Sequence, residues 1–302
     1  MIDFTLPDNL APDGLAGARL DAALSFALPE SGLRTRRRLW DWCRISVNGR
    51  TRPPGYIVQP GDRIRVEALK SAPEQEHPIS LVAAGEEYAA LYKPVGLHSA
   101  HIAGGSEPSL ESLLPTVWPR FMPTSAGAIP LLLTRLDKDT SGLVMVACDQ
   151  EAVSAFRRWE QEGRVEKEYF ALARGRLPGP LHLHNRLLTA DCAITQALDE
   201  PDPDENRHTR AEPLSYCELP PPWAKGLPAT LLRVYIRRGT RHQIRVHLAR
   251  AGYPLAGERQ YAESPPADSP LYLHHARISF PGFSAEALPT DWPPELLGQG
   301  KS

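Results

Sequence analysis

Apolar residues recur at helical spacing at Leu20, Ala23, Leu24, Ala27 and Leu28, with Asp21 in the first turn, until residues 29–32 break the pattern. A second helical stretch carries Leu33, Leu39, Trp40 and Cys43. The period then changes to two. Residues 45–50 alternate and turn at Asn48-Gly49, a hairpin signal, and Pro60-Gly61-Asp62 turns the chain into an alternating strand at 63–67. Residues 79–82 and 88–92 predict two more strands. The apolar runs at 129–133 and 143–147 predict two buried strands joined by a tight, Gly-bearing connection. Residues 150–162 predict an amphipathic helix whose stripe of Val153, Phe156 and Trp159 faces the core. Strands follow at 165–175 and 231–236, with 176–210 read as irregular between them. Residues 1–16 read as a loose lead-in, and 98–128 as a loop and helix region rich in Gly, Ser and Pro.

Helices and strands in this order predict an α+β protein. The polar, proline-containing stretch at 71–78 is the natural linker, so residues 1–75 form a small helix-and-hairpin module and 76–302 a larger domain. A chain of 302 residues has room for both. No apolar run approaches the roughly 20 residues that span a bilayer, and the N-terminus lacks a signal-peptide pattern, which predicts a cytosolic protein without membrane association. Cys43, Cys148, Cys192 and Cys217 are widely spaced, which supports neither a zinc site nor a redox motif and predicts reduced thiols.

The net charge of -2 hides a segregation. Arg34, Arg36, Arg37, Arg38, Arg44, Arg50 and Arg52 lie in one short segment whose only acid is Asp41. Residues 231–250 hold six arginines and no acid. Basic segments of this kind are either solvated faces or nucleic-acid contacts. The acidic cluster Asp199, Glu200, Asp202, Asp204 and Glu205 would repel a polyanion and is expected to face away from one. Neither a Rossmann glycine fingerprint nor a phosphate loop is present.

The connection between the two buried strands holds Asp137, with Arg135 two residues before it and Thr140, Ser141 and Gly142 after it. A rigid loop with one carboxylate suits a reactive group, while a plain structural turn capped by Asp is the competing reading. A hydrolase using Asp137 and Asp139 fits poorly. Carboxylates two residues apart on one loop tend to diverge, whereas glycoside hydrolysis needs them facing each other.

The stretch Leu133-Thr134-Arg135-Leu136-Asp137-Lys138-Asp139-Thr140-Ser141-Gly142 resembles the catalytic loop of the RluA-type pseudouridine synthases, usually His-Arg-Leu-Asp, two variable residues, then Thr-Ser-Gly. Lys93-Pro94-Val95-Gly96, Lys167-Glu168-Tyr169 with its apolar strand and Gly175, and the stretch from Gly239 to Arg245 resemble further motifs of that family. So do Pro254-Leu255-Ala256-Gly257 and Leu273-His274-His275-Ala276-Arg277, in the same order. Residues 17–69 resemble a small ribosomal-protein-like (alpha-L) RNA-binding domain.

The resemblance implies a larger domain built on a mixed, mostly antiparallel sheet. It also implies isomerisation of uridine in structured RNA by a catalytic Asp with base flipping. Large-subunit ribosomal RNA is the expected substrate; transfer RNA, or an inactive RNA-binding homologue, is the alternative. Asp137 then takes the catalytic role and Arg245 becomes its cationic partner. Tyr169 stacks on the uracil and serves in acid–base work, and Arg135 fills the gap left by the flipped base. Arg36, Arg37, Arg38, Lys93 and Arg241 are the candidate RNA contacts. A monomer is implied, with no cofactor and no metal. Two departures stand out. Thr134 replaces the usual His, and the order Gly239-Thr240-Arg241-His242 displaces an Arg by one place, leaving open whether Arg241 substitutes for it.

Overall fold

The computed structural model describes residues 2–7, 18–29, 31–68, 78–101, 107–123, 128–189 and 194–297. Residues 8–17, which include most of the expected lead-in, most of the expected linker at 71–78, and Cys192 lie outside the described residues. In chain order the elements begin β1 (Ile2–Thr5), α1 (Leu20–Ala23), α2 (Leu33–Trp42), β2 (Cys43–Val47), β3 (Arg50–Thr51) and β4 (Arg63–Ala68). Next come β5 (Ser80–Ala84), β6 (Tyr88–Lys93), α3 (Leu110–Phe121), β7 (Leu131–Leu132), β8 (Ser141–Ala147) and α4 (Gln150–Gln161). Then follow β9 (Glu166–Arg174), β10 (Leu181–Leu183), β11 (Asn185–Leu188), β12 (Gln196–Pro201), β13 (Thr209–Glu218) and β14 (Pro228–Ile236). The last are α5 (Gln243–Arg250), β15 (Leu273–Phe280) and β16 (Phe283–Glu286). No helix among the described residues is long and apolar enough to cross a membrane.

The chain falls into two compact units. The first comprises Met1–Ala89, His98–Arg135 and Met145–Ala155. It contains an antiparallel sheet in the order β1-β4-β2-β3. Alternation buries Ile45, Val47, Ile64 and Val66 of the sheet, and Leu20, Ala23, Leu24 and Leu39 of the helical segment are buried as well. Asn48 and Gly49 both take positive φ, 50° and 76°, as the tight Asn-Gly turn requires. Asn48 and Asp62 then tie the two predicted turns together through an Nδ2–Oδ1 hydrogen bond of 2.7 Å. The same unit holds α3, which begins at a Ser109–Ser112 capping box.

The second unit comprises Ala90–Leu97, Leu136–Val144 and Phe156–Ser302. Its strands lie in the order β10-β13-β14-β9-β15-β8-β6. From β10 to β15 each neighbouring pair is antiparallel, and β15 runs parallel to β8. The sheet is therefore mixed and mostly antiparallel, as expected. Period-two alternation sends Tyr169, Ala171, Leu232, Val234 and Ile236 to one face, where Ile244 and Leu248, one turn apart on α5, cover them. Leu172, Ala229 and Leu231 point the other way, against Tyr272, Trp292 and Leu296.

Two expectations about the elements need correction. The lead-in is not loose from its start: Ile2–Thr5 form β1, paired antiparallel with β4. Residues 176–210 are not irregular: they contain β10, the antiparallel β11–β12 pair and the start of β13. β11 and much of β12 are exposed or half-exposed, so no apolar alternation marks them in the sequence. Four of the five acids of the cluster there pair with arginines: Asp199 with Arg250, Glu200 with Arg186, Asp202 with Arg207 and Asp204 with Arg238.

Candidate active site

The loop between β7 and β8 is fixed by its own backbone and by buried polar side chains. The Thr140 N–H donates to the Asp137 carbonyl at 3.1 Å, closing a tight turn around the carboxylate. The Lys138 carbonyl accepts from the Gly96 N–H at 2.9 Å and from the Lys93 ammonium at 3.2 Å. Lys93 also donates to the carbonyls of Pro94 and Leu97, both at 2.8 Å, and is completely buried. Burial pulls its pKa down to about 8, against the opposing pull of the carboxylates of Asp137, Asp139 and Asp291. Lys93 therefore offers no surface to a phosphate, contrary to the contact expected of it. All three ammonium donors hold carbonyls, one of them in the Asp137 loop.

The exit from the loop is pinned against β15. Nε2 of His274 donates to the Ala287 carbonyl at 2.9 Å, so its Nδ1 accepts the Ser141 hydroxyl at 2.8 Å. Gly142 has φ +112°, and a Cβ there would sit 2.3 Å from the His275 carbonyl oxygen. Only glycine lets β8 approach β15 so closely. His275 donates from Nδ1 to the Leu143 carbonyl at 2.6 Å. At the loop's start, the Thr134 hydroxyl accepts the Met145 N–H at 2.9 Å, a backbone anchor where the related motif has His.

Asp137 is about one-quarter exposed, at 26% of its side chain. Its Oδ2 accepts from Nη1 of Arg245 at 3.1 Å. The rest of that guanidinium is occupied: Nε and Nη2 donate to Oε2 and Oε1 of Glu258 at 2.8 and 2.9 Å. Glu258 is buried, and Oε1 also takes the Gln260 N–H at 2.8 Å. Burial alone would drive Glu258 towards its neutral form, but the hydrogen bonds and charge of Arg245 outweigh it and lower its pKa. Burial likewise works against the Arg245 charge, yet Glu258 first and Asp137 second raise its pKa. Arg245 is thus a fixed cation with two carboxylates, one sealed in and one accessible.

On the Oδ1 side stands His242, with Nε2 at 3.6 Å and Nδ1 bonded to the Tyr261 hydroxyl at 2.6 Å. Burial lowers its pKa, opposed by Asp137 and assisted by Arg245 and Arg241. The segment is anchored from α5, where the Gln243 amide donates to the Arg207 carbonyl at 2.7 Å and to the Thr209 hydroxyl at 3.0 Å. Tyr169 projects from β9 and stacks on His275 of the neighbouring strand, with centroids 4.5 Å apart and rings 15° from parallel. Burial first and the Asp137 charge second raise its pKa, so the phenol keeps its proton through the neutral range.

Asp137, Arg245 and Tyr169 come together although they are distant in sequence. Arg135 and Asp139 are exposed on the loop. Nε of Arg241 donates to the Thr195 hydroxyl at 3.1 Å. In the first unit, Arg36 donates to carbonyls of Asp21 and Ser31, and Arg37 pairs with the buried Asp21 carboxylate, so both support the helical segment. The side chain of Arg38 lies outside the described residues. Sequence reasoning missed Glu258, His242 and Tyr261. Glu258 follows Gly257, whose φ of +85° and proximity to the Pro270 carbonyl exclude any side chain. That backbone turn was the available signal.

A carboxylate beside a permanent cation, next to a protonated phenol, is the equipment of an enzyme working by nucleophilic or acid–base chemistry. The family model described as RNA pseudouridylate synthase matches residues 87–250, and the chain belongs to that family of RNA-modifying isomerases. It is 30% identical over 282 residues to the ribosomal large subunit pseudouridine synthase D of Nitrosomonas europaea, spanning 89% of this chain and 74% of that one. It is 27% identical over 297 residues to the ribosomal large subunit pseudouridine synthase C of Escherichia coli, spanning 88% and 85%. The solved structure of human RNA pseudouridylate synthase domain containing 1 shares the fold, with a TM-score of 0.56 at 21% identity over 74% of this chain and 89% of that one.

Proposed function

We propose that this protein isomerises uridine to pseudouridine in large-subunit ribosomal RNA, with Asp137 as the catalytic carboxylate. The observation that carries the reading is Asp137 Oδ2 held by Arg245 at 3.1 Å while the carboxylate stays open to a substrate. The reaction breaks the bond from ribose to the uracil nitrogen, turns the base and rejoins the ribose to a base carbon. No electrons or groups are imported, so the chain's own residues suffice without a cofactor. Glu258 satisfies two donors of Arg245, leaving Nη1 to orient Asp137 towards the ribose and base. Tyr169, kept protonated, stacks against the uracil and acts as an acid.

The target uridine leaves its stack at a cost on the order of a few kcal/mol, and the exposed Arg135 guanidinium fills the gap. Residues 1–75 serve as an RNA-binding module, with Arg36, Arg37 and Arg38 on its basic helix and Arg241 near the site contributing phosphate contacts. The protein works as a cytoplasmic monomer. A pseudouridine map of large-subunit ribosomal RNA, taken with and without the gene, tests the reading. One or a few uridines should stay unmodified in its absence. A change confined to transfer RNA would overturn the ribosomal assignment.

A further inference from the structure

The direction of the hydrogen bond between His242 and Tyr261 follows from the carboxylate on the other side of the ring. The Tyr261 hydroxyl lies 2.6 Å from His242 Nδ1. Nε2 of the same imidazole stands 3.6 Å from Asp137 Oδ1. With the ring proton on Nδ1, a bare Nε2 lone pair would face the carboxylate, which is repulsive. The neutral imidazole therefore carries its proton on Nε2, aimed at Asp137, and Nδ1 accepts from the Tyr261 hydroxyl.

The backbone holds His242 for this purpose. It is one of only two non-glycine residues with positive φ among those described, at φ 57° and ψ 17°, immediately before α5. Strained conformations persist where surrounding contacts over-determine them. Here these are the Tyr261 hydrogen bond and the anchoring of Gln243. The charged groups facing the imidazole are Asp137, Glu258, Arg245 and Arg241.

We infer that His242 is a positioning residue for Asp137: held as the neutral Nε2–H form by Tyr261, it fixes Oδ1 while Arg245 fixes Oδ2. The inference rests on Asp137 being the catalytic carboxylate. The distance of 3.6 Å is too long for a hydrogen bond in the resting protein, and such contacts shorten when substrate binds.

The test is imidazole ¹⁵N NMR on the full-length, RNA-free protein, with His242 assigned by its loss in His242→Gln. The wild type should show a protonated Nε2 and a hydrogen-bonded, unprotonated Nδ1. In Tyr261→Phe the Nδ1 signal should move to the value of a free acceptor. Losing one such bond should lower kcat about fivefold to tenfold with KM for RNA unchanged. His242→Gln, whose amide can still donate from near the Nε2 position, should retain more turnover than His242→Ala. A proton on Nδ1 in the wild type would overturn the inference, as would Tyr261→Phe with unaltered kcat. Neither result touches the role of Asp137, which is tested separately by its own substitution.

Discussion

Replacing Glu258 with Gln keeps the shape of a buried side chain and removes its charge. Arg245, whose Nε and Nη2 reach Glu258 at 2.8 and 2.9 Å, is then left with Asp137 as its only carboxylate partner among the described residues. Breaking a buried pair typically costs about 3–5 kcal/mol. The Gln carbonyl still accepts one bond and Asp137 still offers a charge, which puts this case near about 3 kcal/mol. At roughly 2–4 °C per kcal/mol, the melting temperature at pH 7 should fall by about 6–12 °C. The difference should depend on pH. Glu258 has a folded pKa below its ordinary 4.5, so its contribution is complete above that value and is lost as pH falls through the folded pKa. Melting curves of wild type and Glu258→Gln should therefore converge in acid. Equal melting temperatures at pH 7 would refute the reasoning, and so would a gap that widens on acidification.

Lys93→Met should cost about 2–3 kcal/mol, because the carbonyls of Pro94, Leu97 and Lys138 lose their donor. The salt dependence of RNA binding should not change; a slope reduced by about 0.7–0.9 would mean that Lys93 contacts a phosphate after all. Gly142→Ala should destabilise by at least about 3 kcal/mol, or yield insoluble protein, since β8 would have to part from β15. A near wild-type melt would contradict the close approach. Tyr169→Phe preserves the stack on His275 and should lower turnover by about a hundredfold if the phenol is the acid. Full activity in that variant would leave stacking as the only role.

Much of this arrangement was legible along the chain because local pattern and tertiary role coincide. The turn at Asn48-Gly49 takes the positive φ values its residue types favour, and the helix from Gln150 and the strand bearing Tyr169 each bury the face that their period marks. The run from Ser141 is buried throughout, so continuous hydrophobicity announced it. The β11–β12 pair was hidden, since a half-exposed ribbon carries no apolar alternation and its charges are matched across strands and from α5. Lys93 misled for a different reason. Its residue type suits a phosphate equally well, and only the three surrounding carbonyls identify its task. Glu258 meets Arg245, and Tyr261 meets His242, only in the folded chain, and nothing in their spacing reports those contacts.

The central claim is most directly tested by comparing Asp137→Asn with Asp139→Asn for pseudouridine formation in a large-subunit ribosomal RNA substrate. Both change one charge on the same loop, but only Asp137 meets Arg245. The amide that Asp137→Asn introduces cannot act as nucleophile or base, so turnover should fall by more than the roughly 10²–10⁴-fold typical of losing one acid–base group. RNA affinity should be nearly unchanged, and Asp139→Asn should keep most of its activity. An active Asp137→Asn enzyme, or an inactive Asp139→Asn one beside it, would contradict the account.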